Sequence, residues 1–156
     1  MTAPKRLALV SDWCLPRKGG IETHILALAK RLRQRGVEAT IVTSFPGPDV
    51  IEGVPVDRID CLRLPVVPIA LSPGLVGMVR RRLEAGRYDM VHVHCSIVAP
   101  LCFAALPAAR SLGLPALVTF HSVMKTMPRF LALSDRVLGW TDKSVTLTAV
   151  SGLVAG

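Results

Sequence analysis

Apolar residues in this chain fall into short unbroken runs, set between longer stretches where they recur every three or four positions. Runs at Arg6–Ser11, Ala39–Thr43, Val56–Leu64, Met90–His94, Ala116–Phe120 and Val145–Val150 predict β-strands. Helical spacing predicts helices over Ile21–Arg35, Pro73–Ala85, Val98–Leu112 and Met127–Leu138. In the first helix Ile21, Ile25, Leu28 and Leu32 share one face, and Lys30, Arg31 and Gln34 lie off it. Gly36 supplies its stop, and Gly113 followed by Pro115 ends the third helix in the same way. Strands apolar on both sides that alternate with helices imply a parallel sheet covered on both faces. Right-handed crossovers then make the fold class α/β, a Rossmann-like doubly wound sheet. Leu7–Val10, apolar throughout, is expected near its centre. The Pro/Gly-rich stretch Phe45–Pro55 is expected to be an exposed loop.

A chain of 156 residues suits one such domain with a single core. Its net charge of +8 favours anionic partners: nucleotide sugars, anionic lipid headgroups or nucleic acid. Aromatic residues make up only 4% and no basic stretch is interleaved with them, which argues against nucleic acid. Hydrophobic residues reach 51%, yet no unbroken apolar run of about 18 residues occurs. The amino terminus lacks a cleavage region, so a cytoplasmic protein is expected. Cys14, Cys61, Cys95 and Cys102 show no C-x-x-C spacing and read as reduced structural thiols. Arg80, Arg81 and Arg82 lie beside the apolar Leu75, Val76, Met78, Val79 and Leu83. That pattern fits peripheral contact with an anionic membrane, or a solvated basic face on a core-packed helix.

The run from Leu7 to His24 is the most informative chemistry in the chain. It predicts a buried strand, a loop ending in Gly19-Gly20, then a helix. A helix N-terminus presents unpaired N–H groups and partial positive charge, and glycines admit close approach. With Arg17 and Lys18 beside it, the loop reads as a phosphate cradle, and an ordinary turn is the alternative. It is neither a G-x-G-x-x-G fingerprint nor a P-loop. In such sheets ligands bind beyond the carboxyl ends of the strands, which sets this loop, the residues after His94 and the loop after His121 on one rim. His24, His94 and His121 are therefore rim candidates, and His92 reads as a hydrogen-bonded core histidine. His121 at a strand end could hydrogen-bond a sugar hydroxyl or simply cap the strand. No nearby carboxylate completes a ligand set around His92, His94 and His121, so no metal is expected. No G-x-S-x-G elbow supports a serine triad.

Together these segments resemble the N-terminal domain of family 4 retaining glycosyltransferases, which have the two-Rossmann GT-B fold. The matching residues are Ser11-Asp12, Pro16, Gly19-Gly20-Ile21-Glu22-Thr23-His24, Leu28-Ala29, Leu32, Arg35-Gly36 and Val42-Thr43. Asp89–His94, Thr119-Phe120-His121-Ser122 and Thr148-Ala149-Val150-Ser151 complete the pattern in family order. Within the family the Ser-Asp … Gly-Gly-x-Glu-x-His run looks closest to members acting on phosphatidylinositol and related lipids. The resemblance implies that Gly19 and Gly20 approach the donor diphosphate and that His121 is the catalytic residue at the donor sugar. It implies that Asp12, Glu22, His24, His94, Ser96, Ser122 and Lys125 shape the acceptor side, Lys125 meeting an acceptor phosphate. The co-substrate would be a nucleotide diphosphate sugar, with no cofactor and no metal, and the acceptor an alcohol, including an anionic lipid.

In this family the nucleotide is gripped mainly by a C-terminal domain. Residues 1–156 are thus expected to be the acceptor-side domain, inactive as a transferase without that second domain or a partner subunit. Two rival readings remain: a non-catalytic partner-binding or regulatory module, and a nucleotide-binding flavodoxin-like protein complete in itself.

Overall fold

The computed structural model describes residues 4–62, 72–96, 98–121, 135 and 143–150. The elements run β1 (Arg6–Val10), α1 (Gly20–Gln34), β2 (Glu38–Thr43), β3 (Val50–Ile51), β4 (Val54–Arg58), α2 (Leu75–Ala85), β5 (Met90–Cys95), α3 (Pro100–Ser111), β6 (Ala116–Phe120) and β7 (Val145–Ala149). They build one seven-stranded sheet in the order β3-β4-β2-β1-β5-β6-β7. All pairings are parallel except the β3–β4 hairpin. β1 takes the centre because it is buried on both faces.

Period-two alternation sorts its residues. Ala8 and Val10 pack with Val91, Val93 and Cys95 of β5 against α2 and α3. Leu7 and Leu9 pack on the opposite face with Ile25, Leu26 and Ala29 of α1. By the same alternation His92 and His94 of β5 are set on the α1 face. The chain leaves β1 toward β2 on one side and returns to β5 on the other, so a topological switch point lies between β1 and β5.

Three expectations need correction. The stretch Phe45–Pro55 is not all loop: it holds β3, and Glu52 and Gly53 turn the hairpin with φ of 47° and 80°. Positive φ at both central residues gives the twist a two-residue hairpin needs. The strand expected at Val56–Leu64 accordingly starts earlier, at Val54, and ends at Arg58. The buried stripe of α1 is Glu22, Ile25, Leu26 and Ala29, rotated from the expected one; Ile21, Leu28 and Leu32 pack only at its margin. Glu22 turns inward with this stripe, and one of its carboxylate oxygens pairs with Arg17. The helix expected at Met127–Leu138 lies outside the described residues.

In α2 the apolar Leu75, Val79 and Leu83 turn into the core and Arg80, Arg81 and Arg82 face solvent. Arg82 pairs with Asp57 at 3.3 Å and Arg80 with Glu84 at 3.9 Å. This is the solvated basic face of a core-packed helix. No helix among the described residues is long and apolar enough to cross a membrane. Cys14, Cys61, Cys95 and Cys102 are free thiols.

Candidate active site at the strand ends

The site is built where β1, β5 and β6 end and α1 begins. The loop after β1 enters α1 through Gly19, which has extended backbone and no side-chain cap. The first N–H groups of α1 thus start at the exposed Gly20. A Cβ built on Gly20 meets no protein atom within 4 Å, so its face of the backbone is open. A Cβ on Gly19 would lie 2.5 Å from Glu22 Oε2. A side chain at Gly19 would thus displace the buried Glu22 carboxylate, whereas Gly20 faces open space.

Arg17 bonds Glu22 and lays its guanidinium 4.3 Å over the Trp13 ring. Its charge is directed at Glu22, which leaves Lys18 as the exposed cation beside the glycines. The Trp13 indole N–H donates to Ser96 Oγ at 3.0 Å, and the Ser96 hydroxyl donates to the Val98 carbonyl at 3.0 Å. This chain ties the β1 loop to the β5 loop across the switch point. Sequence reasoning did not single out Trp13; an aromatic residue in a loop otherwise built for backbone exposure was the available signal.

Three residues expected to face a substrate are buried instead: Asp12, Glu22 and His94. Asp12 is 1% exposed, and its two carboxylate oxygens accept from the Leu101 and Cys102 N–H groups at 3.0 and 3.1 Å. It caps α3 from a distant loop, a task the helix's own Ala99 cannot perform. Burial raises its carboxyl above the ordinary range, although those hydrogen bonds pull it down. Replacing Asp12 with Ala leaves two buried donors unpaired, and we expect a loss of about 2–3 kcal/mol of stability. Urea denaturation measures it as a lowered midpoint at unchanged slope. A midpoint within error of the parent would show that Asp12 does not hold α3.

His94 is likewise 1% exposed. It reaches the rim through a neighbour: its Nδ1 lies 3.0 Å from His121 Nε2. His121 is half-buried and ends β6. His24, exposed in the first turn of α1, sets its ring centroid 5.2 Å from that of His121 and 5.8 Å from that of His94. His92 stacks beneath, 4.1 Å from the His94 centroid. Its tautomer follows from the bonds around it. The Thr148 hydroxyl donates to the Val118 carbonyl at 3.1 Å, so Thr119 donates to Thr148 at 2.7 Å and accepts from His92 Nε2–H at 2.8 Å. His92 is thus the hydrogen-bonded core histidine expected.

Burial, reinforced by the neighbouring rings, lowers His92 to about 4, His94 to about 2 and His121 to about 4. These three rings are neutral at physiological pH. His121 is thus a neutral imidazole whose Nε2 lies 3.0 Å from His94 Nδ1. Glu22 is buried beneath the glycines, and Ser96 anchors Trp13. Ser122 and Lys125 lie outside the described residues.

Comparison with known proteins agrees with this architecture. Residues 18–155 match the profile of Glycosyltransferase Family 4. Phosphatidyl-myo-inositol mannosyltransferase of Mycobacterium leprae (strain TN) is 28% identical over 156 residues, covering 95% of this chain and 40% of that protein. D-inositol 3-phosphate glycosyltransferase of Thermobifida fusca (strain YX) is 32% identical over 130 residues, covering 75% of this chain and 29% of that protein. Among solved structures, a glycosyltransferase from Rickettsia africae ESF-5 superposes with a TM-score of 0.66 at 18% identity, over 96% of this chain and 38% of the other. Acinetobacter baumannii MurG gives 0.61 at 19%, over 97% and 42%. The fold is one Rossmann-like half of a GT-B fold. The chain belongs to glycosyltransferase family 4. It spans about two fifths of the length of the first of these relatives.

Proposed function

We propose that this domain is the acceptor-side half of a retaining transferase. It moves a hexosyl or N-acetylhexosaminyl group from a nucleotide diphosphate sugar to an alcohol, and a second Rossmann-like domain closes over the same rim. The observation that carries the reading is the 5.2 Å approach of His24, in the first turn of α1, to His121. It brings an uncapped helix N-terminus and a neutral, half-exposed imidazole together at the switch point of the sheet. The helix end and Lys18 supply fixed positive potential for the charge that grows on a departing diphosphate. His121, held by His94, hydrogen-bonds a hydroxyl of the transferred sugar. The names of the relatives favour an inositol-bearing acceptor, and Lys125 is the residue proposed to meet its phosphate. Transfer on this reading needs no cofactor beyond the nucleotide sugar. Any membrane contact would be peripheral.

The test replaces Gly20 with Val in a full-length transferase carrying this domain. A Cβ there meets no protein atom within 4 Å, so the fold is expected to be retained, which circular dichroism checks. It fills the space where the diphosphate would approach. We expect kcat/KM for the donor to fall at least about tenfold, about 1.4 kcal/mol, with acceptor KM changed less. Unchanged donor kinetics would reduce the Gly-Gly loop to a turn and remove the phosphate cradle from the reading.

A further inference from the structure

We propose that His24, His94 and His121 form a binding site for one borderline transition-metal ion of the Zn²⁺ class. Each imidazole gives one nitrogen, which leaves the fourth tetrahedral position to a non-protein ligand such as water. The three rings converge from separate elements: the first turn of α1 and the ends of β5 and β6. One nitrogen from each lies within 4.8 Å of the others. Two of them already stand at close to ligand spacing. His94 Nδ1 and His121 Nε2 are 3.0 Å apart, against about 3.3 Å for the edge of a tetrahedron with metal–nitrogen bonds of about 2.0–2.1 Å.

The ion takes the place of the proton these two rings share. Both rings are neutral and stay neutral: each carries its single N–H on the outer nitrogen and turns a lone pair inward. In His94 that tautomer places the N–H on a buried Nε2 with no acceptor among the described residues, a cost that the metal bond has to exceed. His92 contrasts, its Nε2–H being fixed by Thr119 and Thr148. His24 is exposed on a helix surface, so its side chain is free to swing in as the third ligand. An all-imidazole set suits zinc, cobalt, nickel and copper and discriminates against magnesium and calcium, which take oxygen.

Binding of the ion does not depend on the transferase reading. Its consequence does: an ion on His121 occupies the ring proposed to touch the donor sugar, so it competes with transfer.

The experiment titrates Co²⁺ into the untagged 156-residue chain after chelator treatment, followed by visible absorption. We expect one equivalent bound, with a d–d band of four- or five-coordinate Co²⁺ that Zn²⁺ displaces. His24→Ala should weaken binding at least about tenfold at unchanged circular dichroism, since that ring is exposed. Absence of a d–d band at about 100 μM Co²⁺ overturns the proposal. So does binding that His24→Ala leaves unchanged, or a thiolate-to-cobalt charge-transfer band, which assigns the ion to cysteine. Whether Zn²⁺ also inhibits sugar transfer is read separately on a full-length transferase. Binding without inhibition retains the metal site and removes His121 from the donor subsite.

Discussion

Between pH 7.5 and pH 5 the domain is expected to lose several kcal/mol of stability, well before ordinary carboxylates protonate. His92 and His94 are the source. Burial holds them at about 4 and about 2, against 6.5 for a free imidazole. A base whose pKa is lower in the folded state binds fewer protons folded than unfolded. Its contribution is complete above pH 6.5 and is lost as the pH falls toward the folded value. At pH 5 each histidine is about 1.5 units below its unfolded pKa and still above its folded one. At 1.36 kcal/mol per unit that is about 2 kcal/mol each, about 4 together. His121 is half-exposed and left out of this figure, because solvent screens it. Asp12 acts the other way: its raised carboxyl favours the protonated folded state and offsets part of the loss. Against a typical domain stability of about 5–15 kcal/mol the net effect is large. Urea denaturation across pH, with chelator present, measures it. Replacing His92 with Gln keeps an N–H for Thr119 and removes one titration, so the difference between pH 7.5 and pH 5 should shrink by about 2 kcal/mol. Stability that stays flat from pH 7.5 to pH 5 would contradict the buried neutral stack.

Replacing His121 with Ala is expected to cut turnover of a full-length transferase by roughly 10²–10³, the usual cost of removing one hydrogen-bonding group aimed at the reacting centre. The stability cost should be smaller, about 1–2 kcal/mol, because the ring is half-exposed and, among the described residues, its loss unpairs His94 Nδ1 alone. The two readouts separate the roles. If turnover per folded molecule stays within about twofold of the parent while the melting temperature collapses, His121 is a structural cap on β6 and the catalytic assignment is wrong. Loss of turnover with the fold retained supports the assignment.

The layered architecture was legible because it rests on local pattern. β1, β2, β5, β6 and β7 are short apolar runs, and α1 opens on two glycines and closes at Gly36. Each signal is carried by neighbours in sequence, and periodicity alone distinguishes strand from helix. The order of the strand-end histidines followed from the same runs. The β3–β4 hairpin was hidden because its turn is Glu52-Gly53 inside a proline-rich stretch, and a two-residue strand leaves no periodicity to read.

What the sequence determined by itself is therefore the sheet, its helices and the rim on which a site must lie. Only the tertiary structure decided which rim residues are exposed and which are buried. Asp12 stands directly after the strand end like any exposed loop residue, yet α3, some 89 positions on, needs a cap and draws it inward. Glu22 looks like a surface helix residue until Arg17 and the bare face of Gly19 give its carboxylate a place in the interior. His94 ends a strand but is buried, and its ring lies against those of His121 and His24, which come from other elements. Burial and pairing of polar groups depend on contacts between segments far apart in the chain, and no local pattern encodes those contacts.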